Sequence, residues 1–230
     1  MKEMLTGSAF FGVFISLLGY EVGLFLKKKL KNPIFNPLLI SIIFVIAALL
    51  ILDIDYDTYN EGAKYISYLL TPATVCLAVP LYEQLSLLKK NWKAIIIGIT
   101  SGVITSLTSV FVLALAFGLT HEEYVTLLPK SITTAIGMEL SRELGGIVTI
   151  SVAVIVVTGI FGNVIAELVC KLFRIKEPVA KGVAIGTASH AVGTAKAMEM
   201  GQEEGAMSSL AIAVAGILTA VLISIFAQFI

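Results

Sequence analysis

The chain has 230 residues, of which 57% are hydrophobic and only 14% charged, and its formal net charge is zero. Such a composition excludes an ordinary water-soluble domain, and the lack of any basic excess argues against nucleic acid as a partner. Two cysteines, Cys76 and Cys170, lie far apart in apolar segments and form neither a zinc framework nor a disulfide scaffold.

In chain order, an apolar first helix over 4–26 is closed by Lys27, Lys28, Lys29 and Lys31, and no cleavage site marks it as a removable leader. A second apolar stretch, 33–52, ends in an acidic loop holding Asp53, Asp55 and Asp57. Next come 63–83, then Lys89, Lys90 and Lys93, then the charge-free run 94–120 and a loop with His121, Glu122 and Glu123. The runs 144–166 and 207–230 are also free of charge, and all three exceed the roughly 18 residues that mark a membrane helix. Lys171, Arg174, Lys176 and Lys181 follow the helix of 144–169, and Gln202, Glu203 and Glu204 follow the segment 182–199.

Lysine and arginine remain cytoplasmic in most membrane proteins. This rule puts the N-terminus and the acidic loops outside and the C-terminus in the cytoplasm. Segment 126–140 begins outside and is too short and polar to cross comfortably, so a re-entrant hairpin is predicted there. The expected fold is a single all-α polytopic membrane domain over 1–230, with about seven crossings plus that hairpin.

Two segments, 71–83 and 187–199, are hydrophobic yet rich in Gly, Pro, Thr, Ser and Ala, and a shift of 116 positions carries Thr71 onto Thr187 and Glu83 onto Glu199. Each precedes a long apolar helix with a related signature, at Ser101 to Thr105 and Ala215 to Thr219. Matched interrupted segments in two halves of a chain point to the binding site of a secondary transporter. Together with the charge-derived topology they predict an inverted repeat, about 33–120 against about 144–230, with two interrupted crossover helices.

Unwound backbone at membrane depth survives only where it is buried in protein or lines a polar cavity. Thr71, Thr74, Ser189, His190, Gly193 and Thr194 are therefore candidate substrate ligands. An imidazole titrates in the working pH range, so His190 could bind a carboxylate, carry a coupled proton, or be a neutral ring satisfied by a backbone carbonyl. Lys130, with Ser131, Thr133 and Thr134, offers a cation and hydroxyls for a carboxylate; the alternative is a lysine snorkelling to the surface. Glu83 and Glu199 are either solvated helix-end carboxylates or proton-coupling groups at opposite interfaces. No nucleophile elbow, phosphate-binding glycine loop or metal-ligand spacing is present, so neither an enzyme nor a cofactor is expected.

Pro129 to Thr134 with Gly137 to Glu139, then Gly145-Gly146, and then the long His190-containing run from Gly186 to Glu199 resemble the LrgB/CidB family; Asn36-Pro37 and Thr71-Pro72 fit it too. The resemblance spans nearly the whole chain. One departure is Ala135-Ile136-Gly137, where the family pattern has Pro-Ile-Ala. It implies one of two activities. Some members are antiholin-like regulators of murein hydrolase export and lysis that act with a small LrgA/CidA-type membrane partner. Other relatives carry pyruvate, glycolate or glycerate. The residues favour a carrier of small monocarboxylates in the cell membrane, expected as an assembly of like subunits.

Overall fold

A computed structural model describes residues 10–30, 35–76 and 78–230, which form helices and turns, with no strand among the described residues. The side chains of Leu70, Thr71, Thr74, Pro80 and Leu81 also lie outside the description. The expected starts at residues 4 and 33 therefore fall outside the described residues. Two compact units divide the chain, Met1–Cys76 and Leu77–Ile230.

In the first unit, α1 (Phe11–Leu30) and α2 (Pro37–Leu52) run antiparallel, since Gly19 packs against Ser41 and Gly23, a turn further on, against Pro37, and Ser41 Oγ donates to Ser16 O at 3.2 Å. Helix α2 starts where Asn36 Oδ1 accepts from Leu38 N at 2.9 Å, with Pro37 in the first turn, where a missing N–H costs nothing. Asp55 caps α3 (Tyr56–Ser67) by accepting from Thr58 N at 2.9 Å. Ser16 and Tyr59 fasten α3 to α1 through a 2.8 Å hydroxyl pair beside the cluster of Phe11, Ile15 and Ile54. Helix α4 (Leu70–Cys76) closes this unit.

The second unit comprises α5 (Ala78–Glu83), α6 (Leu85–Phe117), α7 (His121–Leu127), α8 (Thr134–Glu143), α9 (Val148–Leu172), α10 (Pro178–Met200) and α11 (Gln202–Phe226), with a final turn Ala227–Phe229. Helices α6 and α9, and α11 with that turn, are long and apolar enough to cross a membrane. Buried residues of α6 recur at helical spacing, Ile95, Ile99, Val103, Leu107, Val110 and Ala114, and this stripe packs on Met207, Ala211, Ala215 and Ile223 of α11.

Between the long helices lie two helical hairpins. The first runs from α7 through the turn at 128–133 and back along α8. Its limbs approach where a Cβ on Gly137 would lie 3.6 Å from Pro129 Cβ. Its base is tied to α9 by Ser151 Oγ, bonded to Thr126 O and Ser141 Oγ, both at 2.7 Å. Segment 126–140, expected to re-enter the membrane, lies within this helical hairpin of 121–143.

The second hairpin replaces a crossing expected over 182–199. Helix α10 breaks at His190, whose φ of 42° and ψ of −140° leave the helical region. From there the chain doubles back, so Ile185 and Ala197 share one buried cluster. A Cβ on Gly193 would lie 3.2 Å from Ile185 O. The limb 178–189 runs parallel to α11, because Gly182 packs on Glu204 and Met207 and Gly186 on Ser208, whereas 191–200 runs antiparallel, with Thr194 on Ser208 and Met198 on Gly205.

This reversal sets which parts of the second unit share an end. Lys90, Glu177 and Glu203 line one cavity, and Lys181 pairs with Glu204 at 3.4 Å, so the acidic residues 202–204 share the lysine-rich end. Gln202 Nε2 donates to Glu83 at 3.4 Å, which brings Glu83 and Glu199 to that same end rather than to opposite interfaces. At the other end, Tyr124 OH donates to Phe226 O at 2.8 Å and His121 Nδ1 to the main-chain oxygen of Ile230 at 2.7 Å. The C-terminus therefore lies beside the His121 loop, on the face expected to be external, and not across from it. Carboxylates have little influence on membrane orientation, so residues 202–204 carry no charge signal for an external loop.

Candidate functional site

The two hairpins enter the second unit from opposite ends, and their tips meet halfway along α6. Ser131 Oγ of the first turn lies 3.1 Å from Ser106 Oγ. Four residues earlier on α6, Gly102 makes room for Thr187, whose Cγ2 would be 2.7 Å from a Cβ there. These elements frame a groove of about 390 Å³ lined by Ser101, Thr105, Ser106 and Ser109 of α6, Lys130 and Ser131 of the first hairpin, and Thr187 of the second.

Hydroxyls dominate this lining, and one cation stands among them. Lys130 Nζ donates to Ser131 Oγ at 2.9 Å and has no carboxylate partner among the described residues. Thr187 is 6% exposed, and its Oγ1 is a buried polar atom without a partner. A buried hydroxyl left unpaired costs about 1–3 kcal/mol, so the arrangement favours an occupant that can bond to it. Chemically, the groove offers one positive charge, several groups able to donate or accept, and no fixed negative charge.

The structure distributes the other candidates differently. Ser189, His190, Gly193 and Thr194 build the tip of the second hairpin; Ser189 and His190 face α9, Thr194 faces α11, Gly193 packs on Ser189 and Ile185 of its own hairpin, and none lines the groove. His190 Nε2 donates to Ile155 O at 3.0 Å, which fixes the tautomer because a carbonyl only accepts. Thr194 Oγ1 lies 2.9 Å from His190 O and 2.7 Å from Ser208 Oγ, and Asn163 Nδ2 donates to Val192 O at 2.7 Å. Gly159 and Gly162 of α9 seat the tip. A Cβ on Gly159 would lie 2.6 Å from His190 Cε1, and one on Gly162 would lie 2.5 Å from Ser189 Cβ. The unusual His190 backbone costs on the order of 1–3 kcal/mol and is held by these contacts.

Thr133 precedes α8 without a side-chain capping bond and Thr134 opens it; neither lines the groove. Glu83 and Glu199 are exposed. Lys196 pairs with Glu167 at 2.7 Å and Glu199 at 3.2 Å. The side chains of Thr71 and Thr74 lie outside the described residues. Sequence reasoning passed over Thr187 as a ligand and did not single out Thr105, Ser106 or Ser109. The signal was present in the spacing Ser101, Thr105, Ser106, Ser109, which sets four hydroxyls on one face of a helix.

Long apolar helices around two opposed helical hairpins define an all-helical membrane protein, with buried polar side chains at the hairpin tips. The LrgB-like family model matches residues 16–229, and the chain belongs to that family. It is 39% identical over 226 residues to the antiholin-like protein LrgB of Bacillus cereus strain B4264 and to that of Bacillus anthracis strain A0248, covering 98% of this chain and 98% of each relative. No solved structure matches it.

Proposed function

We propose that the protein is a secondary transporter of small monocarboxylates, of the pyruvate, glycolate, glycerate or lactate type, and that the groove between the hairpin tips is its substrate site. The observation that carries this reading is Lys130, a cation with no carboxylate partner among the described residues, placed among hydroxyls beside the unpartnered Thr187 Oγ1. Ammonium and hydroxyl groups recognise a carboxylate and an adjacent oxo or hydroxyl oxygen at a cost a hydrophobic pocket could not meet. A shift of 57 positions carries His121 onto Pro178 and Glu143 onto Met200, which supports reading the hairpins as inverted copies. Inverted repeats with broken helices at a central site are a recurring plan of alternating-access carriers.

In this reading the lysine-rich end is cytoplasmic in the cell membrane, the N-terminus is outside, and the C-terminus is outside as well. His190, turned onto Ile155 O, positions the hairpin tip, and the exposed Glu83 and Glu199 stand away from the site. A small LrgA/CidA-type partner and self-association belong to the same proposal. The name of the relatives, antiholin-like, supports a second reading, a regulator of murein hydrolase export and lysis without transport.

Purified protein in liposomes, with and without an LrgA-type partner, distinguishes the two. Labelled pyruvate or glycolate should accumulate, and Lys130→Met should weaken binding by about 1–3 kcal/mol, with Lys130→Arg recovering only part because a planar fork is not a point charge. No uptake under any gradient or partner condition would replace the carrier with the regulator.

A further inference from the structure

A larger cavity, about 570 Å³, lies at the lysine-rich end, between the end of α9, the base of the second hairpin and the start of α11. Its wall carries Lys171, Arg174, Lys176 and Lys181 against Glu167 and Glu204. Both carboxylates are already engaged. Glu167 pairs with Lys196 at 2.7 Å and Lys171 at 3.5 Å, and Glu204, 7% exposed, pairs with Lys181 at 3.4 Å. Arg174 and Lys176 have no carboxylate partner among the described residues. The cavity therefore carries two more positive than negative side chains, with its two unpaired cations close in sequence.

We propose that this cavity binds a phosphate-bearing anion. A guanidinium matches phosphate through paired N–H groups, and lysines add charge without demanding geometry. A basic pocket between helices at the cytoplasmic face of a membrane protein is the usual seat of an anionic headgroup. The flank of α9 beside it fits an acyl chain, since Leu168, Leu172 and Phe173 are 65%, 72% and 70% exposed. Because Lys181 and Met200 belong to the two limbs of the hairpin, an occupant spans the hairpin's base. It also competes with Glu204 and Glu167 for their lysines, which makes the site a control point for the hairpin. This site is independent of the groove and of what the groove binds, and rests on the proposed function only in taking the lysine-rich end as cytoplasmic.

Cys170 lies in the cavity wall, and Cys76→Ser leaves it as the single thiol. The experiment reads the rate at which a small thiol reagent alkylates Cys170 in the full-length protein, and in parallel the thermal unfolding midpoint. One arm adds inorganic phosphate in detergent against chloride at equal ionic strength. The other compares phosphatidylglycerol with phosphatidylcholine nanodiscs. Occupancy at about ten times the dissociation constant slows alkylation about tenfold and raises the midpoint. Protection by inorganic phosphate identifies a soluble ligand, and protection confined to phosphatidylglycerol identifies a lipid headgroup. Arg174→Gln with Lys176→Gln should abolish either effect, whereas Lys93→Gln, an exposed lysine outside the cavity, should leave it intact. No change in rate or midpoint in either arm, or effects that survive the double variant, would overturn the proposal.

Discussion

A pair of cysteines at Ile185 and Ala197 tests the doubled-back hairpin directly. Twelve positions separate them, so an unbroken helix would hold them ~18 Å apart at 1.5 Å per residue. A disulfide requires Cα atoms about 4.4–6.8 Å apart. In the structure the two side chains share a buried cluster with Ala166 and Met200, and Ile185 O approaches the Cβ position of Gly193, one turn before Ala197, to 3.2 Å. Ile185→Cys with Ala197→Cys, in a chain where Cys76 and Cys170 are serine, should therefore close an intramolecular disulfide under mild oxidation. Closing a loop of this length contributes up to about 3 kcal/mol, less any geometric strain, so the thermal midpoint should rise on oxidation and fall on reduction. Peptide mass spectrometry identifies the cross-link, and loss of maleimide labelling gives its yield. Both cysteines remaining free under conditions that oxidise an exposed control pair would restore a continuous crossing over 182–199 and move the C-terminus back across the membrane.

Three further outcomes follow from the same geometry. Thr187→Val preserves shape and removes the unpartnered hydroxyl, so thermal stability without substrate should hold or rise by about 1 kcal/mol while substrate affinity falls; lower stability in the empty protein would show that Thr187 is already satisfied. Gly162→Ala should cost about 1–3 kcal/mol by pressing on Ser189, and Ser189→Gly in the same chain should recover part of it, because the nearest remaining atom, Ser189 Cα, would be 3.7 Å away; additive losses in the double variant would refute the tip's seat on α9. Bonds from Thr120 N and Oγ1 hold the Glu123 carboxyl below the ordinary carboxylate range. A depressed folded-state pKa supports the α7 cap in full above the ordinary carboxylate range, and the support is lost as pH falls below that range and through the depressed value. Thr120→Val should therefore shift acid-induced fraying of α7, followed by hydrogen exchange, to higher pH, and an unchanged profile would remove the capping box as its cause.

The long apolar helices were legible because the bilayer demands uninterrupted apolar length, and 94–120, 144–166 and 207–230 all supply it. The first hairpin was legible through conflict, since crossing there would have exported Lys171 and Arg174. Nothing comparable marked the second. Segment 178–200 has the full length of a crossing, and its reversal changes the side of 202–204, where only carboxylates and an amide stand. Of the groove, Lys130 and Ser131 were visible as a cation beside hydroxyls, whereas Thr187 was hidden because its significance lies in having no partner, which only packing reveals.

The glycines explain why the break itself could not be placed. Gly186 and Gly193 read as weak points of a helix, yet both retain helical conformation and are instead contact surfaces, Gly186 against Ser208 and Gly193 against Ser189 and Ile185. The chain reverses at His190, a residue with a Cβ in a conformation that side chains rarely adopt. No local propensity predicts that choice, because what offsets its cost is distant in sequence: Ile155 O for the ring, Ser208 for Thr194, Asn163 for the carbonyl of Val192, and the absent side chains of Gly159 and Gly162. Conversely, a glycine at 190 would relax the backbone and forfeit the ring's bond to α9. The tip is therefore specified by tertiary contacts, and the sequence records it as two small residues on α9 and a histidine on α10 that become intelligible only once the helices are packed.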